Sequence, residues 1–384
     1  VANKAGTTLE KNNQKGMGKM LELLSTRGTR NFTDSTIVEY LNSLGVTSDD
    51  IIFNTGADEI IYTIENVPVG RENTVDSTLL ILYNWMASIN VDEEDVARTM
   101  PMLKKTLMDQ LGAGARIEDG IMKELYPKSP YAKSITPDQI NGLKTYSSKE
   151  LRNFYYKWFR PDLQAVFVVG DVDLNKVETQ IKSIFATIPK PLKAEKRSYY
   201  KGKMVDGTKV IIAKDPEYDK VALSISFQKI PLLEKYRNTS VPYIEGYFDE
   251  AISTLLLNRI QGGIVSQNLP IFNVRIENGK FMEMNNIDAF TISFETVPEA
   301  VYQSLGFMSG EINRMAKSGF NNQEFKSTVE SHFRSIENVY DNRFSQPNSR
   351  FMERVIENYY RGFSLASIEM HFEIMKEILY SEQI

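Results

Sequence analysis

Between Ser147 and Val172 the sequence changes period once, and that change limits the folds open to the chain. Ser147 or Ser148, ahead of Glu150 and Leu151, is a helix start signal. Phe154, Tyr155, Tyr156, Trp158 and Phe159 follow at helical spacing, which suits core packing better than stacking on bases. Arg160-Pro161-Asp162 marks a turn, and Ala165-Val166-Phe167-Val168-Val169 reads as a strand of core length, ended by Gly170-Asp171. A helix that turns straight into an apolar strand calls for layers of helix on sheet.

The same grammar runs through the rest of the chain. Met17, Met20, Leu21 and Leu24 mark a helix over 14–27, and Asp34 or Ser35 is placed to cap a second one. Ile51–Thr55 and Glu59–Ile64 look like paired strands around Gly56. Helices follow over about 72–88 and from Glu93, the latter interrupted or kinked at Pro101. Thr187 to Met204, with Pro189, Pro191 and several lysines, breaks the pattern. Strands at Lys209–Lys214 and Val221–Gln228, a helix over 242–260, strands near 271–276 and 287–295, and helices over 298–317 and 322–340 then repeat it. Gly262-Gly263 reads as a helix-ending turn, with no phosphate-loop pattern around it. The expectation is an α+β chain of two duplicated domains, each a mostly antiparallel sheet packed against helices. They would span 1–190 and 205–384, with 191–204 as linker.

With 384 residues, 42% hydrophobic and 25% charged, such domains can bury large cores unaided. The net charge of −5 comes without a basic stripe, so nucleic acid is not an expected partner. The chain has no cysteine, which excludes disulfides, thiol catalysis and thiolate metal ligands. No apolar run reaches the roughly 18 residues of a membrane span. The first residue is Val1 rather than Met, which fits removal of an upstream segment. The only histidines, His332 and His371, lie far apart in mixed-polarity helical stretches and read as ordinary helix residues.

Several stretches together resemble the pitrilysin/insulinase family of inverted-zincin metallopeptidases. Ala5-Gly6-Thr7-Thr8-Leu9-Glu10 is similar to a strand end of that family, and Asp58-Glu59-Ile60-Ile61-Tyr62 to one of its strands. Tyr155–Leu163 followed by Val168-Val169-Gly170-Asp171-Val172 is the most specific match, and Leu257-Asn258-Arg259-Ile260 is similar to a helix of the second domain. The resemblance covers nearly the whole chain. It implies one half of a clam-shell peptidase, in which two halves close around an unfolded peptide. The family's first strand before Val1 and last strand after Ile384 are not within this sequence.

The family's H-x-x-E-H motif falls on Lys19-Met20-Leu21-Glu22-Leu23. Active members hold Zn²⁺ with both histidines and a distal glutamate, while the motif glutamate activates a water. Here an ammonium and an aliphatic side chain stand at the histidine positions, Lys19 and Leu23. The distal ligand position falls at Lys105 or Thr106, and residues 96–108 contain no acid in any register. The resemblance therefore leads to no metal and no cofactor, with zinc expected for the family and absent here. Glu22 is a vestige of the general base, or simply a helix glutamate paired with Lys19.

Ile52-Phe53-Asn54-Thr55 corresponds to the family's edge strand, where a peptide adds by main-chain hydrogen bonds. Such binding can outlast catalysis. The expected function is that of an inactive homologue or half, without activity by itself, binding extended peptide or completing the chamber of an active half or subunit, or of a homodimer. An active zinc endopeptidase with unconventional ligands and a standalone peptide-binding scaffold are the alternatives. No membrane partner is expected. Export to the periplasm or beyond fits the family, and the cytoplasm remains open.

Overall fold

The computed structural model describes residues 1–33, 36–132, 135–144, 146–191 and 193–380. The expected caps Asp34 and Ser35 lie outside the described residues. Two compact units emerge: Val1–Tyr200 with Ile211–Asp215, and Lys201–Val210 with Pro216–Ile384.

The first unit opens with strand β1 (Ala2–Asn3) and helices α1 (Met17–Ser25) and α2 (Thr36–Ser43). Strands β2 (Ile51–Thr55) and β3 (Ile60–Ile64) follow, then α3 (Thr74–Ala87), α4 (Glu93–Asp109), α5 (Ala113–Leu125), α6 (Pro137–Asn141) and α7 (Ser148–Trp158). Strand β4 (Gln164–Ala165) and α8 (Leu174–Phe185) end the run. Neighbouring strands are antiparallel in the order β2-β3-β1-β4, so β2 is an outer strand. Of the apolar run 165–169, Ala165 joins this sheet.

Local chemistry accounts for several helix ends. Ser147 and Glu150 form the reciprocal cap expected at the start of α7. Phe154, Tyr155, Trp158 and Phe159 are buried as their spacing predicts, whereas Tyr156 is 63% exposed. Asp92 accepts the Asp95 amide at the start of α4, and Glu93, Glu94 and Asp95 favour the helix dipole. α4 runs through Pro101 without the interruption that was one of the two outcomes expected there. Pro101 sits on the exposed side, where water can take the carbonyl its missing N–H leaves free. The core gathers α1, α3, α4 and α7 on the sheet. Phe53, Tyr62 and Trp85 meet edge to face at its centre, and the Trp85 indole donates to the Ser25 carbonyl (3.1 Å).

The second unit holds β5 (Val221–Lys229), α9 (Glu234–Arg237), α10 (Val241–Gln267), β6 (Ile271–Lys280), β7 (Asp288–Thr296), α11 (Val301–Ser318), α12 (Asn322–Asp341), α13 (Asn348–Arg361) and α14 (Ile368–Tyr380). The sheet order is β5-β7-β6, again antiparallel, with a bulge between Phe272 and Arg275. Asn273 takes a positive φ of 50° there, a conformation asparagine tolerates. Lys209–Lys214, expected as a strand, lies outside both sheets and passes from one unit to the other; Asp215 is held by a two-pronged bond from Arg116.

Gly262 and Gly263 do not end a helix. They lie inside α10, which runs on to Gln267 and is closed by Asn268 in the left-handed region. Gly263 answers a packing need instead: a Cβ there would come within 2.5 Å of the Phe307 ring on α11. Leu256 and Ile260 of α10, Ile292 and Phe294 of β7 and Met308 of α11 form the core beneath. Each such side chain, fully buried, contributes about 1.5–3 kcal/mol.

Candidate functional site

The motif positions lie on α1, and the sequence before it explains how that helix starts. Gly16 has a φ of +86°, which favours glycine, and the next turn begins immediately. The helix's first amides find a buried carboxylate: Gly16 donates to Glu10 Oε2 (2.9 Å) and Gly18 to Oε1 (2.8 Å). Burial pushes the Glu10 carboxyl up to about 7, outweighing the pull of both amides and of Lys15. At Gly18 a side chain would crowd Glu10 Oε1 and Thr55 Cγ2, each at 3.3 Å, so α1 lies directly against the end of β2.

One turn on, Lys19 Nζ donates to Glu22 Oε1 and Thr55 Oγ1 donates to Glu22 Oε2, both at 2.6 Å. Side-chain exposure is 16% at Lys19 and 9% at Glu22, so the charges are sheltered but paired. Leu23 is half-buried against the core and offers no donor atom. The inward residues of α4 are Val96, Thr99, Met100, Leu103 and Leu107, none of them acidic. Thr106 is half-buried, while Lys105 is exposed and pairs with Asp109 (2.7 Å).

The fold thus brings Lys19, Glu22, Leu23 and Thr55 together and leaves Lys105 on the surface. The donor set does not fit zinc: a cation would have to displace the ammonium, and nothing but Glu22 would be left to bind it. Among the described residues no group of three or more histidine or acidic side chains is arranged to hold a metal ion.

From this cluster the outer strand β2 runs away with alternating faces. Phe53 and Thr55 turn inward, while Ile52, 44% exposed, and Asn54 face out. Its ladder is with β3 alone among the described residues, Ile51 opposite Ile64 and Thr55 opposite Ile60.

Sequence reasoning missed two clusters. Glu10 was legible only as part of a strand end; the signal lay in Gly16 and Gly18, whose bare backbone lets a carboxylate approach. The histidines, distant in sequence, both pack on α10. His332 Nδ1 lies 3.2 Å from Glu250 Oε1, with its ring 5.1 Å from that of Tyr247, and the His371 ring lies 5.0 Å from that of Tyr243. Burial, with Arg354 and Arg350 adding to it, lowers His371 to about 4.

A helix laid on the end of an outer strand, within an α+β fold, fits the peptidase-like architecture that the sequence resemblance implies. Residues 145–331 match the family described as "Peptidase M16 inactive domain". The chain is thus similar to the M16 peptidases, the pitrilysin/insulinase group, and is PqqL-like. It is 24% identical to "Probable zinc protease PqqL" of Haemophilus influenzae over 295 residues, covering 74% of this chain and 29% of that protein. It is 27% identical over 187 residues to "Zinc protease PQQL-like" of Arabidopsis thaliana, covering 48% of this chain and 20% of the relative. The chain thus spans less than a third of the length of these curated relatives. In fold it is similar to the periplasmic protease PqqL from Escherichia coli, with a TM-score of 0.84 at 18% identity over 100% of this chain and 42% of that one. Pitrilysin gives a TM-score of 0.63 at 15% identity, covering 98% and 38%. Among the described residues no helix is long and apolar enough to cross a membrane.

Proposed function

We propose that this chain is a non-catalytic M16-type half that binds extended polypeptide along β2 and completes a chamber with a catalytically competent half. The observation that carries this reading is the closed Lys19–Glu22–Thr55 cluster at the end of an open outer strand. Without a metal-bound water, Glu22 has no nucleophile to activate, and both its oxygens already hold a donor. Strand addition needs only the main-chain groups of Ile52–Thr55, which the changes on α1 leave untouched. Two duplicated domains, 1–190 and 205–384, would give such a half its two sheets. The similarity to a periplasmic protease supports an exported location.

The test is zinc content and proteolysis on the same preparation. After chelation, zinc re-addition and desalting, the protein should hold far less than one zinc per chain and leave unfolded casein intact. Pull-down from its native source should recover a polypeptide bearing H-x-x-E-H. Stoichiometric zinc with casein cleavage would instead establish the active-enzyme alternative.

A further inference from the structure

We infer that Glu22 is a positioning residue, a strut that fixes the outer edge of β2 in the geometry a peptide strand must meet. The inference rests on the peptide-binding reading of β2 given above. Each oxygen of the Glu22 carboxylate has its own partner: the ammonium of Lys19 on the same helix, and the hydroxyl of Thr55 at the last position of the strand. The carboxylate therefore bridges helix and strand across elements distant in sequence. The junction is tight, as the 3.3 Å approach to Thr55 at Gly18 shows. It is also anchored at the start of the helix, because Glu10 holds the amides of Gly16 and Gly18.

This network matters because an outer strand has ladder bonds on one side only and is the first part of a sheet to fray. At the Thr55 end of β2 the chain turns at once through Gly56 toward β3, with the Gly56 amide on the Glu59 carbonyl (2.8 Å). The Thr55 hydroxyl is the side-chain bond that ties this end to α1. A charge-assisted bond in a sheltered site is stronger than a neutral one. Lys19 supplies the countercharge that keeps the bridge neutral as a unit. Residues standing where a zinc site would be thus act on peptide binding indirectly, through the order of the strand.

The experiment uses Thr55→Val, which removes the hydroxyl and keeps the shape and the backbone edge, and Thr55→Ser, which restores a hydroxyl. Glu22→Gln is a second probe of the same bond. Hydrogen exchange of the amides of 51–55 is measured in the ligand-free protein, and binding is measured with fluorescein-labelled casein as the unfolded probe. Thr55→Val and Glu22→Gln should each raise exchange at 51–55 and weaken casein binding roughly tenfold, the size expected for losing one bond to a charged group. Thr55→Ser should recover most of both. Unchanged exchange at 51–55 in Thr55→Val overturns the strut whether or not casein binds. If exchange responds as expected but the wild-type chain does not bind casein, the peptide-binding reading falls and the strut stands as a structural bond only.

Discussion

Glu10 is the residue whose chemistry departs most from its ordinary behaviour. Its folded-state value near 7 lies above that of the unfolded chain, so the folded state binds this proton more tightly. The stabilisation is full below about 4.5 and is lost as pH rises through about 7. His371 bends the curve the other way: its lowered value gives stability that is present above about 6.5 and lost as pH falls toward 4. Glu10→Gln isolates the first effect. The stability advantage of wild type over Glu10→Gln should shrink by on the order of 3 kcal/mol between pH 5 and pH 8. Urea unfolding followed by tryptophan fluorescence reads it cleanly, since Trp85 and Trp158 both belong to the first unit. A constant difference across that range would mean that Glu10 is not held in a desolvated state.

At the scale of elements, what the sequence disclosed was local. The Ser147–Glu150 cap, the pairing of β2 with β3 and the burial of Leu151 and Phe154 follow from neighbours a few residues apart, and propensity and periodicity see such neighbours. Partners that arrive from elsewhere were invisible: Phe307 against Gly263, Thr55 on Glu22, and α10 between the two histidines. The resemblance to H-x-x-E-H could be read at 19–23, but not the closure of Glu22 by two donors, because one of them lies on strand β2. Gly262 and Gly263 make the point testable. Gly263→Ala forces a methyl into the Phe307 ring and should cost about 1–3 kcal/mol in the second unit. Gly262→Ala, with nothing within 4 Å of its Cβ, should be neutral or stabilise by up to roughly 1 kcal/mol. Hydrogen exchange of α10 and α11 amides distinguishes the two.

At the scale of the whole molecule, the connection between the units is more than a tether. The chain leaves the first unit at Tyr200, returns for Ile211–Asp215, and leaves again at Pro216. On the first unit it is pinned by Arg197, whose guanidinium pairs with the buried Asp58 and donates to the Lys4 carbonyl (3.1 Å). Asp58 also accepts from Thr8 (2.7 Å) and Tyr131. Arg197→Ala would leave that carboxylate buried without its cation and should destabilise the first unit by roughly 3 kcal/mol or more. The tryptophan-detected urea midpoint should fall accordingly. An unchanged midpoint would show that water replaces the guanidinium at no cost.

Strand β1, only two residues long, stands between β3 and β4: Ala2 faces Ile61 on one side and Ala165 on the other. During synthesis β1 must therefore wait for its second neighbour. At roughly 5–20 residues per second, the interval between the emergence of Ile61 and that of Ala165 from the ribosome is on the order of ten seconds. Until then β1 can pair only with β3, and its other side, the one that β4 covers, stays open.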